Sequence, residues 1–253
     1  MLFRSGDSCR DIFVYCDADR LCPDVPVPVL NVLDQTENPG MAKNVQRNIK
    51  SIFNNCDIIT NTNWYEITKT RYVDERTNSL LLRVDEEKKV PEQSYDLMEE
   101  IVDNKYNGIN YDAIIISDYC KGFLSEDHIW EISNHNKNVF LDTKKILGEW
   151  CTSCDFIKIN HVEYNKTYHT IDKLHVFDIF EKLIITHSDK GCEYLSKMFP
   201  VEKVVCKDLS GAGDTFVSAL ACEYARSKSI EEAIKFAQEC ATIVVQKKGV
   251  CTI

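Results

Sequence analysis

From Pro91 onward, short apolar runs alternate with stretches of helical periodicity, and this alternation restricts the fold more than any other feature of the chain. Ala113-Ile-Ile-Ile and Leu183-Ile-Ile have no polar break, as expected of strands covered on both faces, and shorter runs stand at 139–141 and 156–159. Helices are predicted over 92–104 and 126–133. Ser229-Ile-Glu-Glu232 reads as a capping box opening a last helix, with Ala233, Ile234, Ala237, Ala241, Val244 and Val245 on one face and Gly249 placed to end it. The pattern predicts an α/β fold, a mostly parallel sheet flanked by helices on both faces.

In such folds ligands gather at the carboxyl ends of the strands. Each predicted strand runs into polar residues there: Ser117-Asp-Tyr-Cys-Lys-Gly122, Asp142-Thr-Lys144, Asn160-His-Val-Glu163 and Thr186-His-Ser-Asp-Lys-Gly191. Near the end, Asp208-Leu-Ser-Gly-Ala-Gly-Asp214 precedes a helical run from Thr215. Glycines at a helix start bring unpaired N–H groups to an anion at the positive end of the dipole. A carboxylate in that setting repels phosphate unless it accepts a proton from a nucleophile attacking it, which points to phosphoryl transfer to an alcohol. Taken alone, a Gly-x-Gly-Asp is read more simply as a turn with an ordinary first-turn helix acid.

The N-terminal part has a different texture. Pro26 and Pro28 alternate with valines, which excludes a central strand and allows an edge one. Asn38-Pro39-Gly40 reads as a turn before a helix over 42–53, and Leu80, Leu82 and Val84 alternate after Asp74-Glu-Arg-Thr-Asn78 as in a hairpin. Together they predict a small sheet acting as a lid over the cleft. A single domain over 1–253 is expected, with lid segments about 12–36 and 66–86.

The 253 residues carry 30 basic and 40 acidic side chains, a net charge of -10 that argues against nucleic acid as a partner. No apolar run is long enough to span a bilayer and the N-terminus lacks a signal layout, so no membrane association and a cytoplasmic setting are expected. The 12 cysteines lack regular spacing and read as reduced thiols; Cys151 and Cys154 have no second pair with which to form a zinc site.

These motifs resemble the ribokinase-like (PfkB) carbohydrate kinases, whose late Asp-x-Ser/Thr-Gly-Ala-Gly-Asp signature is matched from Asp208 to Asp214. Within that superfamily the likeness is to the heptose 7-phosphate kinase domain of ADP-heptose synthases. It runs through Gly6-Asp7, Asp11, Arg20, Pro23-Asp-Val-Pro-Val-Pro-Val29, Pro39-Gly40, Asn44-Val45, Thr68-Lys-x-Arg71, Arg83-Val-Asp-Glu-Glu87, Asp142-x-Lys144 and Asn160-x-x-Glu163. The resemblance implies ATP and Mg2+ as cofactors, a sugar phosphate as substrate, phosphorylation at the anomeric hydroxyl of a heptose 7-phosphate, and a homodimer clasped through the lid.

By the same resemblance Asp214 is the base, and the amides of Gly211, Ala212 and Gly213 form the anion hole. Asn160 and Glu163 act on magnesium through water, while Thr186, Ser188 and Gly191 line the nucleotide groove. Asp11, Gly40, Asn44 and Asp118 hold the sugar, and Lys121, Arg71 and Arg20 hold its phosphate. Simpler readings stand beside these: Asp118 and Asp142 as helix caps, Arg71 and Arg83 as partners of Asp85 and Glu86. The chain also departs from the family. Met41 replaces a glycine and is expected to crowd the sugar, and the first strand looks thin, only Leu2-Phe3 before Arg4. About 54–68 the chain is short of the family by a βαβ-sized unit, and Val250 stands where a threonine is usual. Kinases of another sugar, sugar phosphate or nucleoside, and a nucleotide-binding regulatory protein with impaired catalysis, are the alternatives.

Overall fold

The structure is a computed structural model and describes residues 2–93, 111–174 and 177–253. In chain order its elements are β1 (Leu2–Gly6), β2 (Ser8–Leu21), β3 (Pro28–Met41), α1 (Ala42–Ile52), β4 (Cys56–Thr60), β5 (Thr68–Asp74), β6 (Leu80–Glu86), β7 (Ala113–Asp118), α2 (Glu126–His135), β8 (Val139–Thr143), β9 (Phe156–Asn160), α3 (His161–Leu174), β10 (Leu183–Thr186), β11 (Cys192–Tyr194), β12 (Lys197–Phe199), α4 (Ala212–Ser227) and α5 (Ile230–Val245). The helix expected over 92–104 lies outside the described residues beyond Gln93.

The main sheet has the order β12-β11-β10-β9-β8-β7-β1-β4. It is parallel from β10 to β4, with β11 and β12 added antiparallel. The unbroken apolar run of β7 serves both faces because strand side chains alternate. Ile114 and Ile116 enter one core with Ile129 and Ile132 of α2 and Ile171 of α3. Ala113 and Ile115 enter the other, with Val45 and Ile49 of α1, Val217 and Leu220 of α4 and Ile234 of α5. The sheet is therefore sandwiched between two helical layers, as the sequence predicts.

A second, smaller sheet has the order β3-β2-β5-β6 and contains the segments expected to act as a lid. Its β5–β6 hairpin closes where expected: Asp74 Oδ1 accepts the Thr77 N–H at 2.7 Å and the Thr77 hydroxyl at 2.9 Å. β3 is an edge strand, the place where its prolines are tolerated.

Four local expectations are corrected. Asn38-Pro39-Gly40 is not a turn but the end of β3, paired with Asp11, Arg10 and Cys9 of β2. β1 does not stop at Arg4; the strand continues to Gly6 with Arg4 wholly buried inside it. α5 ends at Val245, before Gly249, which takes a left-handed turn with φ 70°. Met41 does not project as a free side chain; it is 2% exposed and packs with Phe3, Cys9 and Ile67, while its backbone keeps φ 53°, a conformation that favours glycine. After β4, at the sheet edge, residues 61–67 lead straight to β5 with one short 3-10 turn, Trp64–Glu66.

Phe140 is 1% exposed, stacked on Phe156 with centroids 5.0 Å apart and edge-on to Tyr224 at 5.5 Å. Phe140→Ala is expected to cost about 3–5 kcal/mol of stability, read as a lower urea midpoint with an unchanged denaturant slope.

Candidate active site

The parallel strands bring their carboxyl ends to one side of the sheet. Gly6, Ser117 and Asp142 are in register across β1, β7 and β8, Asp142 pairs with Lys158 of β9, and Asn160 stands beside Thr186 of β10. The start of α4 closes over these ends. Its N-cap, Gly211, has φ 81°, and a Cβ there would stand 3.0 Å from Asn44 Nδ2 and 3.2 Å from Val250 Cγ1, so conformation and space both demand glycine. The Ala212 N–H is bonded to Leu209 O at 3.2 Å, whereas those of Gly211 and Gly213 have no hydrogen-bond partner among the described residues. Beside them lies an ammonium: a Cβ on Gly213 would be 3.1 Å from Lys158 Nζ. Lys158 Nζ is itself bonded to Asp142, at 3.3 Å to Oδ1 and 3.1 Å to Oδ2, so it is chiefly the two open amides and the helix N-terminus that suit this corner to an anion.

Asp214 follows, 5% exposed. Asn44 Nδ2 donates to its Oδ2 at 2.8 Å and the Tyr119 hydroxyl donates to its Oδ1 at 2.5 Å. Burial raises the carboxyl above its ordinary range, opposed by these two donors and by the charge of Arg4. The Arg4 guanidinium is buried with no hydrogen-bond partner for any of its nitrogens among the described residues. Burial pulls its pKa down to about 10, against the attraction of Asp214, so it stays charged at neutral pH. An unpaired buried cation is costly. Here it balances a buried carboxylate.

Asp7 organises the loop that carries Tyr119. Its carboxylate accepts the N–H groups of Tyr119 at 2.8 Å, Lys121 at 3.2 Å and Phe123 at 3.2 Å. The Asp118 carboxylate is likewise spent within the protein, accepting from Thr143 Oγ1 at 2.7 Å, Lys145 Nζ at 2.6 Å and the Cys120 N–H at 3.1 Å. It fixes the loop rather than facing the cleft. Asn44, expected at the sugar, instead braces the candidate base.

On the other flank, Asn160 Oδ1 caps α3 by accepting the Val162 and Glu163 N–H groups, both at 2.9 Å. Glu163 Oε2 accepts the Asn160 N–H at 2.8 Å and Oε1 accepts Lys144 Nζ at 2.8 Å. Burial alone would raise the Glu163 carboxyl, but these partners outweigh it and hold it below its ordinary range. No cluster of three or more His, Cys, Asp or Glu able to cage a metal occurs among the described residues. The donors at hand fit magnesium only in its usual manner, an ion that retains its waters and leans on one or two protein oxygens and on phosphate. Thr186 stands next to Asn160, and Ser188 and Gly191 shape the tight turn into β11.

On the smaller sheet, Asp11 packs against Gly40 so closely that a Cβ there would meet Asp11 Oδ2 at 2.3 Å. Asp11 also holds Arg71 Nη1 at 2.6 Å. Lys121 pairs with Glu87, and Arg83 pairs with Asp85 at 2.7 Å. Arg20 sits apart, exposed at the far end of β2 opposite Val29. Lys69, next to Asp11 across the lid sheet, has no ion pair among the described residues; its Nζ lies 5.2 Å from the centre of the Tyr119 ring.

Sequence reasoning missed three residues of this cluster: Arg4, Lys158 and Tyr119. A charge within an apolar strand is a readable signal, and both Arg4 and Lys158 give it. Tyr119 gives none, because only the folded loop aims its hydroxyl. Cys151 and Cys154 are buried elsewhere, their thiols pushed up by burial to about 11 and about 12.

The bifunctional protein HldE of Vibrio atlanticus (strain LGP32) is 29% identical over 296 residues, covering 98% of this chain; the chain spans 60% of that relative's length. Among solved structures, Arabidopsis thaliana ribokinase complexed with ribose and ATP is similar, with TM-score 0.63 and 16% identity over 98% of this chain and 93% of that one. Phosphofructokinase-2 of Escherichia coli in complex with fructose-6-phosphate matches with TM-score 0.69 and 14% identity over 100% of this chain and 95% of its own. These likenesses establish a ribokinase-like fold. Residues 41–253 match the pfkB family carbohydrate kinases, and the chain belongs to that family of phosphotransferases acting on a sugar hydroxyl.

Proposed function

We propose that the chain transfers the γ-phosphoryl group of ATP to the anomeric hydroxyl of a heptose 7-phosphate. The observation that carries this reading is a buried carboxylate, Asp214, already accepting a hydroxyl at 2.5 Å beside the open amides of a helix start. Asp214 takes the proton of the sugar hydroxyl as its oxygen attacks phosphorus in line. The N–H groups of Gly211 and Gly213, with Lys158, face the charge that develops on the transferred group. Asn160 and Glu163 are the residues that would hold magnesium, which would supply positive charge against the phosphate oxygens. Thr186, Ser188 and Gly191 border the nucleotide.

Asp11 and Gly40 meet the sugar from the lid, and Lys69, Arg71 and Lys121 supply charge for its phosphate. The choice of a heptose rests on the likeness of the N-terminal run and on the similarity to HldE. Among the described residues both edges of the lid, β3 and β6, are unpaired, with Val32 and Leu33 61% exposed, Leu80 58% and Leu82 51%. Exposed apolar edges of this kind favour pairing and support the reading of a dimer clasped lid to lid.

Asp214→Asn is expected to lower turnover by about 10²–10⁴-fold while nucleotide binding persists. An ADP-release panel of heptose 7-phosphate, hexose phosphates, pentoses and nucleosides should favour the heptose; preference for an unphosphorylated pentose would overturn that choice, and full turnover by Asp214→Asn would overturn the base.

Arg4→Met removes the charge that balances buried Asp214 and favours its ionised form. The acid limb of turnover should therefore move to higher pH in this variant than in the parent. Sedimentation at working concentration should give a dimer, and a monomer would contradict the lid clasp.

A further inference from the structure

Both oxygens of Asp214 are occupied by donors of the protein itself, and the two donors differ in kind. Asn44 is wholly buried on α1, wedged between Asp214 and the Gly211 turn. Tyr119 is only partly buried and stands on the loop after β7. Its phenol is pushed well above the ordinary tyrosine range by burial and by the charge of Asp214, so it remains protonated and acts as a donor. A bond of 2.5 Å from such a donor to a carboxylate is at the short, strong end for O–H···O⁻ contacts. With Asp214 only 5% exposed, little of its carboxylate is open to any other hydroxyl.

A general base must come within about 2.6–3.2 Å of the proton it removes. The position a sugar hydroxyl has to take is therefore one that the Tyr119 hydroxyl fills. We propose that Tyr119 is a placeholder for the acceptor: it occupies the proton-accepting oxygen of Asp214 until a sugar displaces it, and so keeps water from being phosphorylated instead. This inference rests on the reading of Asp214 as the base.

The surroundings of the ring link its position to both halves of the cleft. Lys69 Nζ, from the lid, lies 5.2 Å from the ring centre and Lys144 Nζ, bound to Glu163, lies 5.3 Å from it. Both ammonium groups are within cation–π reach of the ring face. A sugar phosphate drawing Lys69 and a nucleotide phosphate drawing Lys144 both weaken the hold on the ring. The side reaction that Tyr119 suppresses is a hydrolysis. Water oxygen forms the new bond to the γ-phosphorus, the bond from that phosphorus to the ADP oxygen breaks, and the proton of water goes to Asp214.

The test is Tyr119→Phe, which keeps the ring and both cation contacts and removes only the hydroxyl. ATP hydrolysis without sugar should rise about tenfold or more. The KM for heptose 7-phosphate, or for whichever acceptor the panel prefers, should fall several-fold, with sugar-dependent kcat within about threefold of the parent. Unchanged hydrolysis, or a lower kcat at unchanged KM, would show an orienting hydrogen bond and overturn the placeholder. A readout independent of turnover is the ¹³Cζ tyrosine resonance that vanishes in Tyr119→Phe. In the parent it should shift on saturation with the acceptor alone, and a resonance that stays in place overturns the proposal. Asp214→Asn separates the two readings: if it abolishes turnover while Tyr119→Phe leaves hydrolysis unchanged, only the placeholder fails; if it retains turnover, the base assignment itself fails.

Discussion

The site depends on keeping one carboxylate charged where water barely reaches it. Asp214 lies in the first turn of α4, where the helix dipole favours a negative charge, yet burial pushes the other way. Three groups counter that push, and each comes from a different part of the fold: Asn44 from α1, Tyr119 from the loop after β7 and Arg4 from β1. Two of the three, Asn44 and Tyr119, are uncharged donors. Arg4 is the third, a full charge within the sheet.

Local conformations elsewhere follow from holding those groups in place. The left-handed Gly211 lets Asn44 approach. Asp7 ties three amides of the loop to β1, which sets the height of Tyr119 above the sheet. Met41 retains a backbone conformation that suits glycine while its side chain joins the core, so α1 begins where Asn44 can reach Asp214. Strained or costly residues gathered about one carboxylate are what a functional site leaves in a fold.

The alternation of strands and helices was legible in the sequence because the apolar runs of β7 and β10 have the length and purity of strands buried on both faces. The Gly211–Asp214 turn was legible because glycines at a helix start have few other uses. Asn38-Pro39-Gly40 misled because turn-forming residues also fit the end of an edge strand, where the missing N–H of proline is harmless. Arg4 looked like a strand end, since charge inside a central strand is rarely affordable without a nearby opposite charge. That charge, Asp214, is 210 positions further along the chain, a pairing no local pattern contains. Tyr119 was invisible for the same reason. Asp118 and Asn44 were found as polar residues of the candidate site, but only the folded chain shows that one is closed off by Lys145 and that the other meets Asp214.

The account can be tested directly by the crystal structure of the chain with a non-hydrolysable ATP analogue, magnesium and its best sugar acceptor. The acceptor hydroxyl should lie within about 2.6–3.2 Å of Asp214 Oδ1, with the Tyr119 hydroxyl withdrawn and the γ-phosphorus facing the Gly211 and Gly213 amides. A sugar whose reacting hydroxyl meets another group, with the Tyr119–Asp214 bond intact, would contradict it.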